Sequence, residues 1–145
     1  MLSKKMVFPG VILSALLLFI AGFFFMPFKN NGTATAGKNA RHISPREAKE
    51  FLDKHPDAIL LDVRTPQENQ EARLANSILL PVDKVEEHIA RTLPDKNKPV
   101  VIYCRTGRRS AFAMSIMEKM GYTNLMNMTG GIIKWHGEGL PVISN

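Results

Sequence analysis

The chain starts with one long apolar run and continues with short apolar runs that alternate with amphipathic segments. Residues 6–28 carry no charge and follow Lys4 and Lys5. About 20 apolar residues cross the hydrocarbon core of a bilayer, whereas the apolar region of a secretory signal usually has about 7–15 residues. The length of the run therefore favours a retained membrane anchor over residues 1–28, with a signal sequence as the alternative.

The segment that follows the apolar run is small and polar. Such a composition is typical of a flexible linker, which we assign to residues 29–41. Within this linker, Ala34-Thr35-Ala36 has the small-x-small form that signal peptidases cleave, so cleavage there is the alternative to retention. The folded domain is predicted to cover residues 42–145.

Three segments of the domain begin with residues that cap helices. Ser44 and Glu47 form a capping box with a proline at the first helical position, which predicts a helix that ends near Lys54. The same signature recurs at residues 65–68 and opens a short helix. Residues 83–86 are expected to cap a third helix in the same way.

Short apolar runs separate these helices and are typical of buried strands. They occupy residues 58–64, 77–80, 99–104 and 124–128. Further helices are predicted at residues 110–120 and directly after residues 130–131. Strands that alternate with helices predict an α/β fold with a central, mostly parallel sheet and helices on both faces. Ligands bind such sheets at the carboxyl ends of strands, and Cys104 ends the most strand-like run.

Charge is distributed unevenly along the chain. The 19 Lys and Arg residues outnumber the 13 Asp and Glu residues, which gives a formal charge of +6. Residues 1–41 hold five of the cations and no acid, so residues 42–145 carry 14 cations against 13 acids. A protein that binds a nucleic-acid duplex needs a clustered basic surface. The balanced charge of the domain therefore argues against a nucleic-acid partner.

The candidate chemistry lies between the most strand-like run and a helix expected to begin at Ser110. Cys104 is the single cysteine of the chain, so it has no partner for an internal disulfide. A loop that curls over its sulfur would direct backbone N–H groups at it, with the positive end of the helix behind them. The candidate substrate-binding residues of this loop are Arg105, Thr106, Gly107, Arg108, Arg109 and Ser110.

These groups favour the thiolate form of Cys104, which we expect to be an exposed nucleophile. An unperturbed cysteine has a pKa of about 8.5, and lowering it by about two units takes roughly 2.7 kcal/mol of preferential stabilisation of the anion. No general base is then needed. The same cations suit a small anionic substrate such as a sulfur oxyanion. The alternative is a buried, unreactive cysteine whose neighbouring Arg residues only solvate the loop.

Other conspicuous side chains receive structural interpretations. Arg64 is expected to tie loops together, with Glu68 or Glu71 as its partner, and Trp135 is expected to pack in the core with its indole N–H paired. None of the histidines shows metal-binding spacing, so no metal site is predicted. They are His42, His55, His88 and His136.

Three stretches of the chain resemble motifs of the rhodanese family. Residues 62–64 read D-V-R, residues 104–109 are similar to the six-residue active-site loop of that family, and residues 130–142 contain its closing G-G…W…G-L-P pattern. Within that family, the chain resembles the small periplasmic, single-domain thiosulfate sulfurtransferases. The chain departs from the family at residues 72–77, where the Gly and His of the usual G-H-I-x-G-A sequence are replaced.

The resemblance covers residues 43–142 and implies a thiosulfate sulfurtransferase. In that case Cys104 takes the outer sulfur of thiosulfate or a similar donor, forms a covalent persulfide without any cofactor, and passes the sulfur to cyanide or a thiol. A rhodanese-like sulfur carrier or interaction module at the membrane is the alternative. A cysteine phosphatase or arsenate reductase is less favoured, because those enzymes have Arg at the sixth position after the cysteine, where this chain has Ser110.

The apolar run and the resemblance together predict a location in the bacterial inner membrane, with the domain in the periplasm. Cations at residues 4–5 and within residues 29–41 flank the run on both sides, so a domain that faces the cytoplasm is an alternative. A soluble periplasmic domain after cleavage is another. The predicted partners are therefore the membrane, a small anionic sulfur donor, and a thiol or cyanide acceptor.

Overall fold

The structure is a computed structural model that describes residues 39–144. The predicted membrane anchor at residues 1–28 lies outside this range, as does most of the predicted linker. Among the helices within residues 39–144, none has both the length and the apolar character that crossing a membrane requires.

Strands and helices alternate along the described residues. The strands are β1 (Arg41–Ile43), β2 (Ile59–Asp62), β3 (Ala72–Arg73), β4 (Ile78–Leu79), β5 (Val100–Tyr103), β6 (Leu125–Met128) and β7 (Ile143–Ser144). The helices are α1 (Pro45–Lys54), α2 (Pro66–Glu71), α3 (Val85–Thr92), α4 (Arg108–Lys119) and α5 (Gly131–Gly137), with a 3-10 turn (Val82–Lys84) before α3. Arg41, assigned to the linker from sequence, is already part of β1.

Five of the strands form a parallel sheet in the order β1-β6-β5-β2-β4. This arrangement confirms the predicted α/β fold with a parallel central sheet. The remaining strands, β3 and β7, pair antiparallel in a small second sheet. The central strand β5 is buried along its whole length, because helices cover both of its faces and neither row of side chains meets water.

The two rows of side chains on β5 enter two different cores. Val100 and Ile102 pack in a cluster with side chains of α3 and α4, whereas Val101 and Tyr103 pack with side chains of α1 and α5. Alternate residues of a strand point to opposite faces, so helices lie on both sides of the sheet, as predicted. Trp135 of α5 is buried in the second cluster and donates its indole N–H to the Pro141 carbonyl at 2.9 Å, which confirms its expected packing role.

Two of the three predicted capping boxes are present. The Ser44 hydroxyl accepts the Glu47 N–H, and the Glu47 carboxylate accepts the Ser44 N–H; the box at residues 65–68 has the same form. The prediction for residues 83–86 was wrong. There the 3-10 turn leads into α3, and a bond from the Lys84 N–H to the Pro81 carbonyl, 2.8 Å long, closes the turn without a side-chain cap.

The segment that departs from the family pattern still makes a tight turn. Asn76 stands where that pattern has its second Gly. Within residues 39–144, Asn76 is the only residue other than glycine that has a positive φ, which is 60°. Asn tolerates the left-handed region better than most other residues. The turn therefore persists although the glycine is replaced.

Candidate active site

Cys104 lies directly after β5, at the carboxyl end of the central strand. The residue is only 1% exposed, so the expectation of an exposed thiol was wrong. It is not an ordinary core cysteine either, because its Sγ accepts a hydrogen bond from the Gly107 N–H at 3.1 Å and one from the Ser110 hydroxyl at 3.5 Å. The sulfur is therefore buried inside a loop of hydrogen-bond donors.

Burial and hydrogen bonding act on this sulfur in opposite directions. Burial raises the pKa of Cys104, because the thiolate loses water. The Ser110 hydroxyl and the backbone N–H groups of Ser110, Thr106 and Gly107 lower the pKa, because they donate hydrogen bonds to the anion. The net shift of the Cys104 pKa is downward, which favours the thiolate.

Helix α5 holds the loop in the orientation that turns these N–H groups inward. The Ile132 N–H donates to the Cys104 carbonyl at 2.9 Å, and the Ile133 N–H donates to the Arg105 carbonyl at 3.2 Å. A trans peptide points its carbonyl and the following N–H in opposite directions. Because the Arg105 carbonyl faces α5, the Thr106 N–H faces the sulfur.

Two glycines allow the loop and α5 to approach so closely. Gly107 has a φ of +94°, and a Cβ on it would lie 3.0 Å from the backbone nitrogen of Gly130. Gly131 has a φ of +57°, and a Cβ there would lie 2.4 Å from the Cys104 carbonyl oxygen. These distances leave no room for a side chain, which explains why glycine occupies both positions.

The three arginines of the loop differ in their surroundings. Helix α4 begins at Arg108, two residues earlier than predicted, because the left-handed Gly107 serves as its N-cap. Arg105 and Arg108 are exposed. Together with Thr106 and Arg109 they line a pocket of about 300 Å³.

Arg109 is paired with the carboxylate of Glu68, which the sequence suggested as a partner of Arg64. Its guanidinium donates to both carboxylate oxygens of Glu68, at 2.6 and 2.8 Å. These bonds, with those from Thr65, outweigh burial and hold the pKa of Glu68 at about 2. The positive charge of Arg109 is therefore largely balanced by Glu68.

A buried network fixes the helix that carries Glu68. Arg64 pairs with Asp62 at 2.6 Å and donates to the carbonyls of Glu68 and Ala72. Of its predicted partners, Glu68 therefore binds Arg64 through the backbone carbonyl, and the charge partner is Asp62. Tyr103 donates its hydroxyl to Asp62 at 2.8 Å. Burial, followed by the Asp62 charge, raises the pKa of Tyr103 to about 12. The network joins β2 and β5 to the middle of α2 and to Ala72, the residue that follows α2.

The structure thus turns only part of the predicted loop, its backbone N–H groups and Ser110, toward the sulfur and leaves two of the arginines exposed. It adds Glu68, Gly131 and the Asp62 network. Strand periodicity could have indicated the pairing of Asp62 with Arg64, because residues two apart in an extended chain share a side. No comparable signal in the sequence indicates the pairing of Glu68 with Arg109. Within residues 39–144, no group of three His, Cys, Asp or Glu side chains is placed to hold a metal ion.

Comparison with known proteins identifies one family and relatives with more than one named activity, among them a tRNA uridine(34) hydroxylase of Protochlamydia amoebophila. A family model described as a rhodanese-like domain matches residues 44–138. A sulfurtransferase of Allochromatium vinosum is 36% identical over 88 residues, which cover 61% of this chain and 80% of that protein. The thiosulfate sulfurtransferase PspE of Escherichia coli is 41% identical over 70 residues, which cover 48% of this chain and 67% of that protein.

A solved structure shares the fold. The crystal structure of a rhodanese-related protein from Thermoplasma volcanium superposes with a TM-score of 0.63 and 31% sequence identity, covering 71% of this chain and 97% of that one. The matched relatives support sulfur transfer in general. The chain belongs to the family of rhodanese-like domains.

Proposed function

We propose that this protein is a sulfurtransferase that moves sulfane sulfur from thiosulfate or a similar anionic donor, through a persulfide on Cys104, to cyanide or a thiol. The observation that carries the proposal is the environment of the Cys104 sulfur. Its hydrogen bonds come from Gly107 and Ser110, and its pKa is lowered. A thiolate is the nucleophilic form of cysteine, so the loop prepares the sulfur for attack without a general base.

In the first half-reaction, the Cys104 thiolate attacks the outer sulfur of thiosulfate. A bond forms between the Sγ and that sulfur, the S–S bond of thiosulfate breaks, and sulfite leaves with the electron pair. Arg105 and Arg108 are exposed at the mouth of the loop, where positive charge attracts an anionic donor. The N–H groups that stabilise the thiolate are also placed to stabilise the persulfide anion.

In the second half-reaction, an acceptor nucleophile attacks the outer sulfur of the persulfide. A bond forms between the acceptor and that sulfur, and the Cys104 thiolate leaves with the electron pair. The leaving group is the same anion that the loop stabilises at the start, so one set of hydrogen bonds serves both halves of the cycle.

The phosphatase alternative finds no support in the loop. A phosphoryl group needs an arginine free to bind its oxygens in a bidentate way. Arg109, at the fifth position after Cys104, instead directs both of its terminal nitrogens at Glu68.

Mass spectrometry of the intact protein tests the proposal. Treatment of the full chain with thiosulfate should add one sulfur atom, and the Cys104→Ser variant should add none, because a hydroxyl forms no persulfide. Repeated turnover of thiosulfate and cyanide to thiocyanate then separates an enzyme from a carrier, because a carrier would load sulfur but would not sustain catalytic turnover. A sulfur adduct on the Ser variant would show that Cys104 is not the acceptor of the sulfur.

We further propose that residues 1–28 attach the domain to the bacterial inner membrane, with the domain in the periplasm. The support is the uncharged run of residues 6–28 after Lys4 and Lys5. The protein should then stay with membranes during carbonate extraction and become sensitive to protease once the outer membrane is opened. Protection from protease in such cells would place the domain on the cytoplasmic side.

A further inference from the structure

A second cleft lies next to the Cys104 loop. It has a volume of about 360 Å³, and its apolar wall comes from Ile132 and Ile133 of α5 together with Val142. Arg105 lines both this cleft and the smaller pocket at the mouth of the loop. A molecule in the cleft therefore contacts the residue that directly follows Cys104 in the loop.

The charges around this cleft fall into two groups. Arg64 is paired with Asp62, and Glu68 is paired with Arg109, so these charges are already balanced. Arg105 and Glu71 are exposed, and the structure gives neither side chain an ion pair within residues 39–144. Besides the ionisable side chain of His136, the cleft thus offers one permanent cation and one carboxylate for a ligand.

The apolar wall adds a third feature. Ile133 is 51% exposed, although it is a large apolar residue. Binding sites for small ligands typically combine an apolar wall with a few polar groups that fix orientation, and volumes of about 300 Å³ are at the small end of their range. The volume and the two opposite charges suit a short zwitterionic molecule.

We propose that this cleft binds the sulfur acceptor, and that the acceptor is a small zwitterionic thiol such as a short cysteine-containing peptide. The carboxylate of the thiol pairs with Arg105, its ammonium group pairs with Glu71, and its carbon skeleton packs on Ile133. This inference rests on the proposed function, because it assigns the acceptor of the same persulfide.

The transfer step follows the chemistry of the second half-reaction. The thiolate of the bound peptide attacks the outer sulfur of the Cys104 persulfide and becomes a peptide persulfide. The bond between that sulfur and the Sγ breaks, and Cys104 leaves as a thiolate. No oxidant or reductant is consumed.

The test uses single turnovers of the full chain that has first been loaded with sulfur by thiosulfate. Loading in advance removes any effect of a variant on donor binding. Four thiols are compared, namely neutral 2-mercaptoethanol, cationic cysteamine, anionic 3-mercaptopropionate and zwitterionic cysteinylglycine. For each protein the rate with a charged thiol is divided by the rate with 2-mercaptoethanol, and each such ratio is compared with the wild-type ratio. Differences in intrinsic thiol reactivity then cancel.

Glu71→Gln should lower the relative rates of cysteamine and cysteinylglycine about two- to five-fold, as expected for one solvent-exposed ion pair, and should leave 3-mercaptopropionate unchanged or faster. Glu71→Lys should lower the relative rate of cysteamine further and should raise that of 3-mercaptopropionate. The matched control is Glu86→Gln, because Glu86 is exposed on α3 and does not line the cleft. This control should leave every ratio unchanged.

The outcomes separate the two proposals. A wild-type chain that gains no sulfur from thiosulfate would overturn the proposed function and the acceptor cleft with it. A chain that gains sulfur but keeps the same ratios in both Glu71 variants would overturn the acceptor cleft alone. Changed ratios in the Glu86 variant as well would show a general effect of surface charge, which would also overturn it.

Discussion

Replacement of Gly131 by Ala tests whether α5 maintains the loop around Cys104. A Cβ at this position would lie 2.4 Å from the Cys104 carbonyl oxygen and 2.5 Å from the carbonyl carbon and oxygen of Arg105. All of these are backbone atoms, so no side-chain rotation relieves the contact. The loop and the start of α5 would have to move apart, which would weaken the bonds from Ile132 and Ile133 to the loop carbonyls.

Two costs contribute to the expected loss of stability. The left-handed backbone of Gly131, with φ of +57°, costs an alanine about 1–2 kcal/mol. Overpacking typically adds about 1–3 kcal/mol, so Gly131→Ala should lose about 2–5 kcal/mol in total. Gly139 provides the control, because its φ is +73° but a Cβ there would meet nothing within 4 Å. Gly139→Ala should therefore lose only the backbone cost of about 1–2 kcal/mol.

Urea unfolding measures these losses, and the pH dependence of alkylation by iodoacetamide measures the thiol pKa. In Gly131→Ala the Cys104 pKa should rise, because the Thr106 N–H moves away from the sulfur. In Gly139→Ala it should not change. Equal losses of stability in the two variants would refute the steric reasoning. A destabilised Gly131→Ala with an unchanged thiol pKa would refute the role of α5 in orienting the loop.

Two further predictions concern the supporting residues. Asn76→Gly should stabilise the domain by up to about 1 kcal/mol in urea unfolding, because glycine adopts the left-handed backbone without steric cost. The neighbouring Ala75→Gly should destabilise it. A less stable Asn76→Gly and a more stable Ala75→Gly would contradict this reasoning. Arg109 holds the pKa of Glu68 at about 2, below its ordinary value of 4.5. A lowered folded-state pKa contributes stability above pH 4.5 that is lost as the pH falls toward 2. The difference in free energy of unfolding between wild type and Glu68→Gln should therefore shrink over that range. A difference that does not depend on pH would count against the pairing.

The parts of the fold that the sequence predicts best are those set by neighbouring residues. The run that became β5 consists of strongly apolar side chains, and its burial on both faces follows from that composition. The capping boxes at Ser44 and Thr65 depend on atoms three residues apart, so they too form as the local sequence indicates. The position of Cys104 at the end of β5 follows from the same local pattern.

Long-range contacts explain the features that the sequence did not predict. Glu68 and Arg109 are 41 positions apart and meet only because the Asp62 network holds α2 beside the loop. The start of α4 was predicted two residues late, because a left-handed Gly107 as N-cap depends on the backbone of residues 129–130 against which it packs. The local sequence identifies Gly107 as a flexible residue, but it does not show that residues 129–130 pack against it.

These contacts also show which groups lower the pKa of the Cys104 thiol. The sequence attributes the thiolate to backbone N–H groups, a helix terminus and three guanidinium groups together, yet Arg105 and Arg108 are exposed, where water and salt weaken their effect on a buried atom. Arg109 is balanced by Glu68. The largest contributions that lower the pKa of the thiol come from the Ser110 hydroxyl and from backbone N–H groups, which act at short range inside a water-poor loop. Arg109 also interacts with Cys104, although its main partner is Glu68. Fixed dipoles therefore make the largest downward contributions to the thiol pKa, and Arg105 and Arg108 remain available for the donor binding that we propose.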